Sequence, residues 1–219
     1  PADKASEKKA DAKADAKPAE PKPHEVGSDL VLKTMWKDGF YAETANKDFK
    51  VHIGGRLHHD WVFFDQDPQL RTDASIGDLD DGVFFRRMRV QVDGSMYEVF
   101  SWDVDIDVSS ATDVRFDDVH FTVGQLPYVG NCRIGNLKTA FGLESMNSSK
   151  FLTFMERGMP NDAFLSEFDP GMLLYNTALE DSLYWAFSFT RIDPEDDGVD
   201  FGDGEYAAAG RVAKLLYYD

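Results

Sequence analysis

Arginines and aspartates crowd two short stretches of this chain. Arg86, Arg87 and Arg89 fall within "VFFRRMRVQVD" (83–93), and Asp103, Asp105 and Asp107 alternate through "VFSWDVDIDVSS" (99–110). A guanidinium is a planar fork that donates two hydrogen bonds at once to phosphate or carboxylate oxygens. The arginines therefore read either as a ladder for anions or as charge partners of the aspartates. "HHD" (58–60) invites a metal, but adjacent residues of an extended chain point apart, so only His58 and Asp60 could share an ion. They read as ordinary polar residues of one face, and no metal is expected. "DPEDDGVDFGDGE" (193–205) is acidic enough for calcium, yet its spacing is not that of an EF-hand, and it reads as an acidic loop. No nucleophile–base constellation and no phosphate-cradling glycine loop occurs, so neither catalysis nor a cofactor is expected.

These side chains must be held by strands. In "VFSWDVDIDVSS", Phe100, Trp102, Val104, Ile106 and Val108 share one side, and Ser101, Asp103, Asp105, Asp107 and Ser109 the other, because side chains alternate along a strand. "FKVHIGGRLHHDWVFF" (49–64) splits in the same way, with Val51, Ile53, Leu57, Trp61 and Phe63 opposite His52, Arg56, His58 and Asp60. In 83–93, Phe84, Met88, Val90 and Val92 oppose Arg87, Arg89, Gln91 and Asp93, which leaves Arg86 on the apolar side. Further strands are expected in 116–124, 132–140, 173–180, 183–192 and 205–218, giving eight from residue 49 on. If the hairpin between the second and third strands turns near Met96, Arg87 faces Asp105, Arg89 faces Asp103 and Val90 faces Trp102. Both faces are then complementary in one register.

Of 219 residues with a net charge of −17, residues 1–25 hold six lysines and six acids, so the whole acidic excess lies beyond them. That surplus argues against a nucleic-acid partner. The Ala/Lys/Asp/Pro stretch 1–25 is too polar to order itself and reads as a disordered linker. Residues 26–48 read as a short hairpin turning at Asp38-Gly39. Cys132 is alone, so no intrachain disulfide is expected. No apolar run is long enough for a membrane-spanning helix, but barrel strands need only about 9–11 alternating residues each.

The connections between the eight strands run to roughly 18, 5, 7, 7, 32, 2 and 12 residues, with boundaries drawn from pattern alone. Short turns on one side and long loops on the other are a habit of outer-membrane barrels. A soluble β-sandwich carbohydrate-binding module, with Trp and Phe as core or sugar platforms, is the alternative. A surface barrel without an open lumen is a third reading. The connection 141–171, "FGLESMNSSKFLTFMERGMPNDAFLSEFDPG", is too long and too rich in Phe, Leu and Met to be a mere link.

Several segments resemble, in order, the phosphate-selective porins O and P: "GGRLHHDWVFF", "FFRRMRVQVDGSMY", "VGQL" (123–126), "RIGNLKTAFGLE" (133–144) and "SSKFLTFMERGMP" (148–160). The resemblance implies an all-β, sixteen-stranded transmembrane antiparallel barrel. It implies a homotrimer in the outer membrane of a Gram-negative-type bacterium, in contact with lipid and passing small anions such as phosphate. The third long loop, 141–171, would fold into the lumen as its constriction. Lys150 and Arg157 occupy family constriction positions, and Arg56 matches the arginine of the first strand. With Arg87 and Arg89 they form the expected anion-binding set. Two departures stand out. Ala140 replaces a proline common in relatives, which would leave the start of the loop less stiff, and the three aspartates oppose anion passage. The eight strands from residue 49 make half of such a barrel, and "LLYYD" lacks a terminal aromatic, so a fragment is expected.

Overall fold

The computed structural model describes residues 25–72, 75, 77–110, 112–165, 168–192 and 205–216. The expected linker, apart from Glu25, and the acidic connection 193–204 lie outside those residues. Among the described residues ten strands follow one another: β1 (Leu32–Trp36), β2 (Phe40–Thr44), β3 (Phe49–Val62), β4 (Gly82–Met96), β5 (Phe100–Asp107), β6 (Arg115–Leu126), β7 (Gly130–Leu137), β8 (Asp169–Ala178), β9 (Leu183–Ile192) and β10 (Glu205–Lys214). They form a single antiparallel sheet in sequence order, open between β1 and β10. Eight strands run from residue 49 on, as the alternation predicts. The hairpin β1–β2 adds two more, since β2 pairs with β3 and extends the same sheet.

Transverse rows of paired residues show how the pattern sorts the faces. One row reads Gly94, Trp102, Phe121, Ile134, Met172 and Phe189 across β4 to β9. The adjacent row reads His52, Asp93, Asp103, His120, Gly135, Gly171 and Thr190 across β3 to β9. Adjacent rows point to opposite sides, so the first is a greasy belt and the second a polar inner face.

Burial is inverted relative to a soluble domain. Among the described residues the buried apolar ones are only Leu137, Ala140, Leu173 and Ala186, whereas Asp60, Arg87, Arg89, Asp105, Asp107 and Asp117 are all buried. Trp61, Val90, Phe116, Phe121 and Phe189 stay exposed on the other side. No second sheet covers that side among the described residues, so the sandwich reading has no second layer to stand on. An extended apolar belt of this kind is stable where hydrocarbon, and not water, meets it.

Two sequence expectations are corrected. Strand β4 runs to Met96 and turns through Tyr97 and Glu98, both with positive φ (53° and 62°), so Met96 pairs with Phe100. Arg89 therefore faces Asp107, not Asp103, and Gln91 faces Asp105. The shift is an even one, so the faces survive. It also brings Trp102 against Gly94, where a Cβ would come within 2.8 Å of the indole. The second correction is Arg86. A bulge between His58 and His59 pairs His58 with Arg87 and His59 with Phe85, leaving Arg86 as the extra residue. It turns to the polar side and not, as alternation alone requires, to the apolar one. A similar bulge sets Asp117 and Asp118 together opposite Asp105.

Candidate functional site

The connection between β7 and β8 is held against the polar face as a string of short elements: a helical turn Leu143–Met146, a 3-10 turn Ser149–Phe151 and a helix Met159–Phe164. Its start is fixed by the backbone. The Ala140 N–H donates to Ser188 Oγ of β9 at 3.0 Å, in a buried position. A proline there would have no hydrogen to give. Ala140 thus does not loosen the loop, as the comparison with proline predicts, but pins it by a hydrogen bond.

Between loop and wall lies a cavity of about 370 Å³, lined by Arg56, Arg89, Arg133, Lys138 and Lys150 and by Asp38, Asp105 and Asp118. Three of the five expected anion ligands, Arg56, Arg89 and Lys150, come together here. Arg56 donates to Asp105 Oδ2 at 2.6 Å and to Ser149 Oγ at 2.6 Å, joining wall to loop. Arg89 is locked between two wall carboxylates. Its Nε donates to Asp107 Oδ2 at 2.9 Å and lies 2.6 Å from Asp117 Oδ2, an ion pair without hydrogen-bond alignment. Lys150 forms no ion pair among the described residues.

Arg157 and Arg87 stand elsewhere. Arg157 is buried within the loop, donating to the carbonyls of Glu144 and Asn147 at 3.2 and 2.9 Å. Lys138 reaches the Ser145 carbonyl at 2.7 Å. Both cations thereby donate to carbonyls at the end of the turn 143–146, where the backbone dipoles favour positive charge. Arg87 donates to Glu156 of the loop, with 2.6 Å to Oε2 and 2.8 Å to Oε1. Burial raises the Glu156 pKa, but hydrogen bonds from the Arg157 backbone N–H and from Arg87, with the charges of both arginines, outweigh it and hold the carboxyl below its ordinary 4.5.

Sequence reasoning missed Asp60, Ser149 and Glu156 as partners, and it missed Arg86 on this face. A signal for Arg86 was present. Two adjacent arginines inside an alternating strand imply one residue too many, which is what a bulge supplies. The adjacent pair Asp117-Asp118 carries the same mark.

The fold agrees with the relationships of the chain. The family described as phosphate-selective porin O and P matches residues 51–217. A curated relative, Porin O of Pseudomonas aeruginosa, is 29% identical over 181 residues, which cover 80% of this chain and 40% of that protein. The chain thus spans about two fifths of the length of this relative.

Proposed function

This chain belongs to the phosphate-selective porin O and P family, and we propose that it forms part of the wall and the constriction of an outer-membrane pore through which small anions, phosphate among them, diffuse passively. The observation that carries this reading is the inverted sheet: buried ion pairs on the face covered by loop 138–168 and an exposed apolar belt on the other. The belt suits lipid, and the polar face suits water. The family is one of channels and not of enzymes.

Lys150 is the residue we assign to anion attraction, because it lines the cavity without a carboxylate of its own. Arg56 is the second, since its fork is shared with Asp105 and is not fully enclosed. The aspartates keep the local field weak, so attraction is modest and falls with salt. A homotrimer in the outer membrane of a Gram-negative-type bacterium completes the proposal.

The test is conductance of the intact protein in planar bilayers under a salt gradient. The expected reversal potential has the sign of anion preference, and Lys150→Gln moves it toward zero while leaving assembly unchanged. Preference for cations in the unaltered protein removes the phosphate reading, and absence of conductance removes the pore.

A further inference from the structure

The middle of the loop poses a packing problem. Phe151 is 82% exposed, Phe154 81% and Met155 66%, so this segment buries almost no apolar surface against the wall. Hydrophobic packing is therefore not what holds it in place. Polar contacts are, and they converge on two consecutive residues at each side. Arg86 pairs with Asp60 of β3 and donates to the Met155 carbonyl, and its Nη1 lies 3.9 Å from Glu156 Oε2. Arg87 makes the direct pair with Glu156.

The bulge makes this possible. In a regular strand Arg86 and Arg87 would lie on opposite faces, and only one could reach the loop. The bulge, with Arg86 as the extra residue opposite the His58/His59 step, turns both inward. Asp60 then anchors the Arg86 fork from behind, leaving its other nitrogen for the loop carbonyl. Bulges beside functional sites commonly re-aim a side chain in this way. On the loop side, Arg157 ties the following turn to Glu144 and Asn147, so Met155 and Glu156 are presented by a stiffened segment.

We propose that Arg86 and Arg87 with Met155 and Glu156 are a latch that sets how deeply the loop lies across the passage, and that Arg86, Asp60 and Glu156 are positioning residues acting on the aperture and not contacts for the passing solute. The inference rests on the pore reading but is tested separately from it. The intact protein in detergent is exposed to trypsin, which cuts after Lys150 and Arg157 when that segment leaves the wall. The unaltered loop resists; Arg86→Ala and Glu156→Gln lose that resistance while the barrel still withstands cold SDS. Phe154→Ser, at a loop position whose side chain is 81% exposed, keeps it. The reverse pattern, with Phe154→Ser cleaved and Glu156→Gln resistant, overturns the latch, as does equal resistance in all four proteins. In bilayers, Glu156→Gln loses the single quiet open level with its ion preference unchanged. A resistant parent that passes no current removes the pore and leaves the latch standing. A conducting parent indistinguishable from Glu156→Gln in cleavage and current does the opposite.

Discussion

Arg87 and Arg89 lie two residues apart on β4, face the same side and meet carboxylates at similar distances, yet they hold different things. The partners of Arg89, Asp107 and Asp117, both belong to the wall, and all three side chains are nearly fully buried. The partner of Arg87 belongs to the loop and is about one-third exposed. The first pair joins strands already joined by hydrogen bonds and is shielded from water and salt. The second joins a long connection to the sheet in reach of solvent. One is a rivet and the other a clasp, and burial, not charge, separates them.

The largest effect expected is for the rivet. Arg89→Ala leaves two buried carboxylates without their cation and costs about 3–5 kcal/mol, to be read as loss of the SDS-resistant form or a lowered urea midpoint. Unchanged stability would erase the distinction drawn between the two arginines. Ala140→Pro comes next, at the hinge between the regions. It removes the donor to buried Ser188 Oγ and costs about 1–3 kcal/mol, with raised hydrogen exchange at the end of β7 as the check. Glu156→Gln sits lower, at about 0.2–1 kcal/mol because the pair is partly solvated, and the urea midpoint should stay within error of the parent.

Acid gives the smallest and most graded effect. Glu156 faces Arg86 and Arg87 of β4, His58 and Asp60 behind them on β3, and Arg157 of its own segment. Its pKa is lowered in the folded state, so its contribution is complete above the ordinary value of 4.5 and is lost as pH falls through the lowered one. Trypsin resistance cannot be followed in acid, but pepsin can take its place. Cleavage within 150–157 should begin only below the usual carboxylate range and be absent in mildly acidic solution where pepsin still acts on an unfolded control.

Much of the wall was legible because strand chemistry has a period of two. The sides of Val51, Ile53, Trp102 and Asp105 follow from alternation alone, and its length marked the connection 141–171 as more than a link. The register between β4 and β5 did not follow, since Tyr97 and Glu98 take a left-handed backbone that no residue preference announces. Arg86 did not follow from alternation alone, because one inserted residue, marked only by the adjacent arginines, inverts the parity of everything beyond it. Nor did the partners in the loop. Glu156 meets Arg87 across 69 residues and Ser149 meets Arg56 across 93, and no local pattern encodes meetings at such range. Lys150, Arg157 and Arg56 came from resemblance, and the cavity gathers only two of those three.

One feature of the topology reaches beyond the site. Each described strand neighbours only the described strands before and after it in the chain. Assembly can proceed hairpin after hairpin, like a fan opening rib by rib, without any rib being threaded between two others. Such nearest-neighbour order keeps most contacts short in sequence, which favours rapid growth, and it leaves a single advancing edge to be guarded against stray pairing while the sheet is made.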